Sequence, residues 1–288
     1  MYQLFCDSNC ELWHTTVKEL GLNVIRMPYI VDDKEYFYDM GENTEFKAFF
    51  DNMRAGGVPK TAALNEYAYT EYFEPVLARG EDIYYITFSH QMSGTFNAMK
   101  LAWDELSEKY PDRKLYTLDT KGITICSLSI VKEVGKLAAN GATPENILKW
   151  AETEVDKFAV YFYADDLKFF GRSGRVSGLA AFMGSLLGIR PIITMSSEGV
   201  MDSVSKAKGR KGTLKKLMDY VIELQEDIKN YPVIIGHADA YDLALELESM
   251  LKAQFGEDLP TEIVVVNPTA GSHCGPNTVG VSFHAKHR

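Results

Sequence analysis

Cysteine is scarce in this 288-residue sequence: there are four, at positions 6, 10, 126 and 274, and no Cys-x-x-Cys pair. That scatter excludes a disulfide framework and favours reduced thiols in a cytoplasmic protein. Cys6 and Cys10 stand four apart, but no second Cys/His pair at finger spacing accompanies them, so no metal site is expected. Long apolar runs are also missing. None approaches the ~18 to 20 residues of a membrane span, so no stable membrane insertion is expected. The opening residues, Met1 to Asp7, lack a basic segment followed by a long apolar stretch and do not read as a signal peptide. Positive charge is in deficit. Thirty Lys plus Arg against forty Asp plus Glu leave a net charge of −10, which disfavours nucleic acid as a partner. The sequence has no GxSxG, GxxxxGK[ST], GxGxxG or HExxH, which speaks against a typical α/β-hydrolase, P-loop enzyme, dinucleotide-binding dehydrogenase or zincin.

What is present reads as a globular chain, 46% apolar and 24% charged, long enough for one or two domains. Strand-like and helix-like segments alternate. Strands are expected at 2–6, 82–89 and 114–119, with helices from Leu12, Thr44, Asn65, Gly94, Ile123 and Thr143-Pro144. Thr44 is the expected cap of its helix, and Val24 to Tyr38 reads as irregular or a hairpin turning at Asp32-Asp33. Such alternation implies βαβ units and a parallel sheet, with ligands beyond the carboxyl ends of the strands. That rim would carry Asp7-Ser8, Ser89 to Thr95 and Asp119-Thr120.

From Phe158 the rhythm changes. Strands at 158–163, 190–195, 232–238, 262–267 and 278–284 share the region with helices near 177–187, 210–229 and 240–254. The expected architecture is therefore α/β with two domains. Residues 1–157 form an N-terminal parallel-sheet βαβ domain, and 158–288 an α/β domain with a partly antiparallel sheet.

Ser89-His90-Gln91-Met92-Ser93-Gly94-Thr95 is the strongest local signal. It follows a buried strand and opens a helix, where unpaired N–H groups favour an anionic oxygen and Ser93 can also act as the cap. Thr61 sits in a loop after Pro59-Lys60. His273 lies among glycines in the segment Asn267 to Pro276, a backbone expected to be mobile and closely packed. Lys206, Lys208, Arg210, Lys211, Lys215 and Lys216 place six cations in eleven residues, either a solvated helix face or a dock for an acidic partner.

Taken together these pieces resemble the DegV family. The matching elements run in order: Asp7-Ser8; Lys60-Thr61; Ser89-x-x-x-Ser93-Gly94-Thr95; Asp165-Asp166-Leu167 leading to Gly174-Arg175-Val176-Ser177; Leu186 to Ile193 with Gly199; and Gly271-x-His273-x-Gly275-Pro276. The resemblance implies a bacterial two-domain protein that buries a long-chain fatty acid between its domains. It further implies a non-catalytic role, as the subunit that presents the carboxylate to a separate fatty acid kinase subunit for acyl-phosphate formation. No cofactor is implied besides the bound acid. By the family pattern Thr61, Ser93, Gly94 and His273 hold the carboxylate, and Ser8, Thr95 and Arg175 support them. Lys206, Lys208, Arg210 and Lys211 would then dock the kinase. The sequence departs from the pattern where Ala62-Ala63 replaces the usual Ser-Gln, and where Ser173 replaces the first glycine of Gly-Gly-Arg. Apolar tunnel candidates are Leu179 to Met183, Leu186-Leu187 and the strand Ile263 to Val266. The residues alone leave two further readings open: a hydrolase or acyl-transfer enzyme using Ser93 and His273, and a module for another small anion.

Overall fold

The computed structural model describes residues 1–177 and 188–288. The helix expected near 177–187 and the tunnel candidates Leu179 to Met183 and Leu186-Leu187 lie outside the described residues.

The first sheet is parallel throughout, as expected. It contains β1 (Tyr2–Asp7), β2 (Asn23–Ile25), β6 (Asp82–Thr87) and β7 (Leu115–Asp119), in the order β2-β1-β6-β7. Its carboxyl ends share one rim. Beside it, β3 (Pro28–Val31), β4 (Lys34–Phe37) and β5 (Lys60–Thr61) form a small antiparallel sheet in the order β4-β3-β5. The hairpin between β3 and β4 turns at Asp32-Asp33, and both residues take positive φ, 50° and 60°. That is the backbone a two-residue loop needs to match the twist of its strands. Thr61 is therefore not in a loop. It pairs with Tyr29 at the end of a strand.

The second large sheet is mixed, as expected for the C-terminal half. Its strands are β8 (Phe158–Tyr163), β9 (Val176–Ser177), β10 (Ile189–Met195), β11 (Met201–Lys208), β12 (Val233–His237), β13 (Thr261–Val265) and β14 (Val279–His284). They run in the order β13-β12-β14-β8-β10-β11-β9. β11 had no counterpart among the expected strands. It is rich in Ser, Lys and Asp, and only alternate positions are exposed.

Side-chain alternation gives this sheet two different faces. Val233, Ile235, Val279, Val281 and Phe283 point to one face, packed with Leu214, Leu217 and Val221 of helix 209–224 and Ala244, Leu247 and Leu251 of helix 241–255. Val160, Phe162 and Ile234 point to the other, which packs against helix Thr124–Ala139 and the apolar core of the N-terminal half. Gly236 and Gly280 lie on that second face and are directly paired across β12 and β14. A Cβ on Gly236 would stand 2.8 Å from Ile125, and one on Gly280 would stand 2.6 Å from Phe162.

Thr44 does not cap its helix. The helix is Phe46–Arg54, and the Thr44 hydroxyl instead hydrogen-bonds Asp39. Asp39 already accepts the backbone N–H groups of Gly41 and Asn43, so the turn before the helix claims the threonine.

Candidate functional site

The rim of the parallel sheet is knitted together by short polar side chains. Asp7 accepts the backbone N–H of Asn9 through one carboxylate oxygen and that of Phe88 through the other, each at 2.9 Å. Burial without a cation pushes its carboxyl up to about 7. Ser89 donates to the carbonyl of Gly199 at 2.6 Å, tying this rim to the turn after β10. Ser93 does not occupy the capping position of helix Thr95–Lys109, which belongs to Gly94, although its Oγ accepts the Thr95 N–H at 3.2 Å. Ser8 and Thr95 act from behind. Ser8 Oγ accepts the Met27 N–H at 2.8 Å. Thr95 Oγ1 accepts the Leu64 N–H at 3.2 Å and pairs with the Tyr69 hydroxyl, which anchors the chain leaving Thr61. Neither Ser8 nor Thr95 lines the cavity described next.

Between this rim and the glycine-bearing face of the mixed sheet lies a cavity of about 200 Å³. A single water needs only about 10 to 15 Å³ on the same measure, so the space fits something much larger. Its walls are mostly apolar, with Phe88, Met92, Ile125, Val160, Phe162 and Phe170 prominent. Val266 also lines it, whereas Ile263 packs on the opposite face of its sheet, against the two C-terminal helices.

Thr61, Ser93, Gly94, Arg175 and His273 all reach this cavity. Thr61 Oγ1 and His273 Nε2 are 3.0 Å apart. Burial, with Arg175 as a lesser cause, holds the His273 imidazole down to about 4, so the ring is neutral at pH 7. Arg175 donates through Nε to the carbonyl of Met92 at 3.0 Å and through Nη1 to the carbonyl of Ser173. It thereby braces the residue before Ser93 while lining the cavity. Among the described residues no carboxylate lines the space, and Arg175 is its one cation. Hydroxyls, a neutral imidazole and one guanidinium beside apolar walls suit an anionic oxygen on an apolar body. The geometry fits a Ser–His enzyme less well, because His273 pairs with Thr61 and, among the described residues, no acid is placed to orient it.

His273 is not on a mobile loop. It belongs to the helix Pro268–Cys274, where Asn267 caps the N–H of Ala270 and Pro268 takes the first turn. Glu11, buried in the N-terminal half, accepts both the backbone N–H and the side-chain amide of Asn267, at 2.8 and 3.0 Å. This clamp fixes the start of the His273 helix against the parallel sheet. Burial raises the Glu11 carboxyl well above its ordinary range, against the pull of those two donors.

Residue-pattern reasoning missed Glu11, Asn267 and the cavity-lining Asn9 and Thr269. The Asn-Pro pair at 267–268 was the available signal for a capped helix. Of the basic cluster, Lys206 and Lys208 stand exposed on β11 rather than on a helix, while Arg210 and Lys211 are exposed at the start of helix Gly209–Leu224. All four cysteines are free and buried. Among the described residues no cluster of His, Cys, Asp or Glu could hold a metal, and no helix is long and apolar enough to cross a membrane.

Known proteins resemble this chain along its whole length. The family model described as an uncharacterised protein of the DegV family matches residues 1–286. A DegV domain-containing protein of Clostridium perfringens is 32% identical over 286 residues, covering 98% of this chain and 97% of the relative. Among solved structures, a DegV family protein of Thermus thermophilus described for fatty-acid binding superposes with a TM-score of 0.86 at 22% identity, covering 99% of both chains. A fatty-acid-binding DegV family protein of Streptococcus agalactiae gives 0.85 at 23% identity, covering 100% of this chain and 99% of the other.

Proposed function

The chain belongs to the DegV family, and from that membership we propose that it is a carrier for one long-chain fatty acid. The acid lies between an N-terminal domain, 1–157, and a C-terminal domain, 158–288. Its carboxylate is held by Thr61, Ser93, Gly94 and His273, with Arg175 offsetting its charge. The observation that carries this reading is the Thr61–His273 pair at 3.0 Å opening on an apolar cavity lined by no acid among the described residues. Neutral donors bind a carboxylate directly, and Arg175, braced on the Met92 and Ser173 carbonyls rather than on an acid, keeps its charge free to offset that of the ligand. Burying ~15 methylenes at about 0.8 kcal/mol each is worth a gross ~12 kcal/mol, and association and ordering remove a large part of it.

The carrier does not itself transfer phosphate. It works in the cytoplasm and presents the carboxylate to a separate kinase subunit, which docks on Lys206, Lys208, Arg210 and Lys211. Native mass spectrometry of the purified protein, with lipid analysis after denaturing extraction, tests the ligand. A stoichiometric fatty acid is expected; a ligand-free protein that also fails to take up palmitate or oleate would refute the reading. Charge reversal by Lys208→Glu and Arg210→Glu tests the dock. Acyl-phosphate formation with the kinase should be lost while lipid uptake persists, and unchanged coupling would remove the cluster from the mechanism.

A further inference from the structure

We infer that the groove between helix Thr95–Lys109 and β7 is where the phosphoryl donor meets the bound acid, and that Lys100 is the cation that receives the donor's terminal phosphate. The inference rests on the kinase-presenting reading and adds to it the face on which the reaction takes place. The groove is open and holds about 600 Å³. Ser93 and Gly94 line both this groove and the cavity, so the two spaces share a wall at the head-group end. Gly94 is exposed and has no side chain, so what it presents to both spaces is bare backbone. The loop that forms this wall starts at Ser89, which holds the carbonyl of Gly199. From that turn β11 runs out to Lys206 and Lys208, so one turn links the groove's loop to the strand that carries the proposed kinase dock.

The charge of the groove suits a phosphate. Among the described residues no carboxylate lines it, although the chain as a whole carries −10. Two lining residues can carry positive charge, His90 and Lys100. His90 is already engaged: its Nε2 pairs with Thr87 Oγ1 at 2.9 Å, and its Nδ1 stands 3.7 Å from Asp119. Lys100 is exposed and forms no ion pair among the described residues, whereas Lys109 of the same helix is paired with Glu74. Helical side chains lean toward the N-terminal end of their helix, so the lysine stem leans back over Phe96, toward Gly94. In the transfer, a carboxylate oxygen of the acid attacks the terminal phosphorus of a nucleoside triphosphate held by the kinase subunit. The new O–P bond forms as the P–O bond to the departing nucleoside diphosphate breaks, and no proton moves. An anion thus approaches a polyanion, and an unpaired ammonium at the meeting point offsets that repulsion.

The test is acyl-phosphate formation by palmitate-loaded protein with ATP and the fatty acid kinase subunit of the same organism, with palmitate affinity measured on every variant. Lys100→Ala should lower kcat about tenfold, less than the loss of a fully desolvated donor, and leave palmitate affinity and the KM for the carrier unchanged. Lys100→Arg should keep most of the rate. Asn97→Asp, which adds a negative charge to the same groove and leaves Lys100 in place, should slow the reaction as well. Both positions are exposed, so neither change disturbs the core. An unchanged kcat in either Lys100→Ala or Asn97→Asp would overturn the inference. So would a change confined to KM, a loss of palmitate affinity, or a Lys100→Arg variant as slow as Lys100→Ala. Each of those results leaves the presenting role intact. A natural protein that binds palmitate but yields no acyl phosphate would overturn the presenting role and the inference together.

Discussion

His273 couples stability to pH in a way that can be isolated. Its imidazole is held down to about 4 from an ordinary 6.5, chiefly by burial and secondly by Arg175. Between those values the unfolded chain binds a proton that the folded chain refuses. Folding stability from this residue is therefore intact above about 6.5 and declines as the pH falls toward 4. The two values imply a loss of about 2 kcal/mol by about pH 5 and about 3 kcal/mol by about pH 4. Asp7 opposes it. Its carboxyl rises from 3.8 to about 7, so the folded state binds the extra proton, and stability from Asp7 is lost as pH rises through that window. The two effects partly cancel in the natural protein, and a bare pH–stability curve would hide both. His273→Gln removes one and leaves Asp7 in place. Urea unfolding followed by tryptophan fluorescence, on delipidated protein from about pH 7.5 to 4.5, gives the difference between natural protein and variant at each pH. The natural protein should lose about 2.5 kcal/mol relative to His273→Gln between the ends of that range. A difference that stays flat would show that the imidazole titrates normally in the folded state, and the neutral-donor account of the site would fall.

Two further outcomes follow from the same geometry. Arg175→Met should raise the His273 titration toward 6.5, read from the imidazole resonances by NMR, and should weaken fatty-acid binding; an unmoved titration would show that the guanidinium does not act on the ring. Glu11→Ala strips the acceptor from two buried donors of Asn267, so it should cost about 2 to 5 kcal/mol and speed amide exchange first in the helix Pro268–Cys274; uniform exchange across the chain would refute the clamp.

The strands that cross the core were legible because their residues say one thing at every position. Asp82 to Thr87 and Phe158 to Tyr163 are apolar or aromatic almost throughout and are buried on both faces. β11 was illegible for the opposite reason. Its polar and charged residues satisfy a half-exposed strand only once β10 is beside it, and that partner is a tertiary fact. Thr61 read as a loop residue because a two-residue strand has no period to detect, and only pairing with Tyr29 defines it. The site itself was partly legible. Thr61, Ser93 and His273 lie far apart in the chain, and a motif can name them but cannot place the hydroxyl of one 3.0 Å from the ring of another. Asn9 and Thr269 carry no pattern of their own. Only packing reveals that they line the cavity.

The paired glycines of β12 and β14 have a consequence for the life of the protein. At Gly236 and Gly280 the sheet offers bare backbone, which lets Ile125 and Phe162 approach closely, and both glycines line the cavity. On the proposed carrier reading, a lipid tail in that cavity would add apolar contacts that the empty protein lacks. Ligand that binds only the folded form stabilises it by about 2.7 kcal/mol at a hundredfold excess over its dissociation constant. Because degradation by quality-control proteases follows the unfolded fraction, on that reading an empty carrier would be cleared faster than a loaded one. Its abundance would then rise and fall with the supply of the proposed cargo.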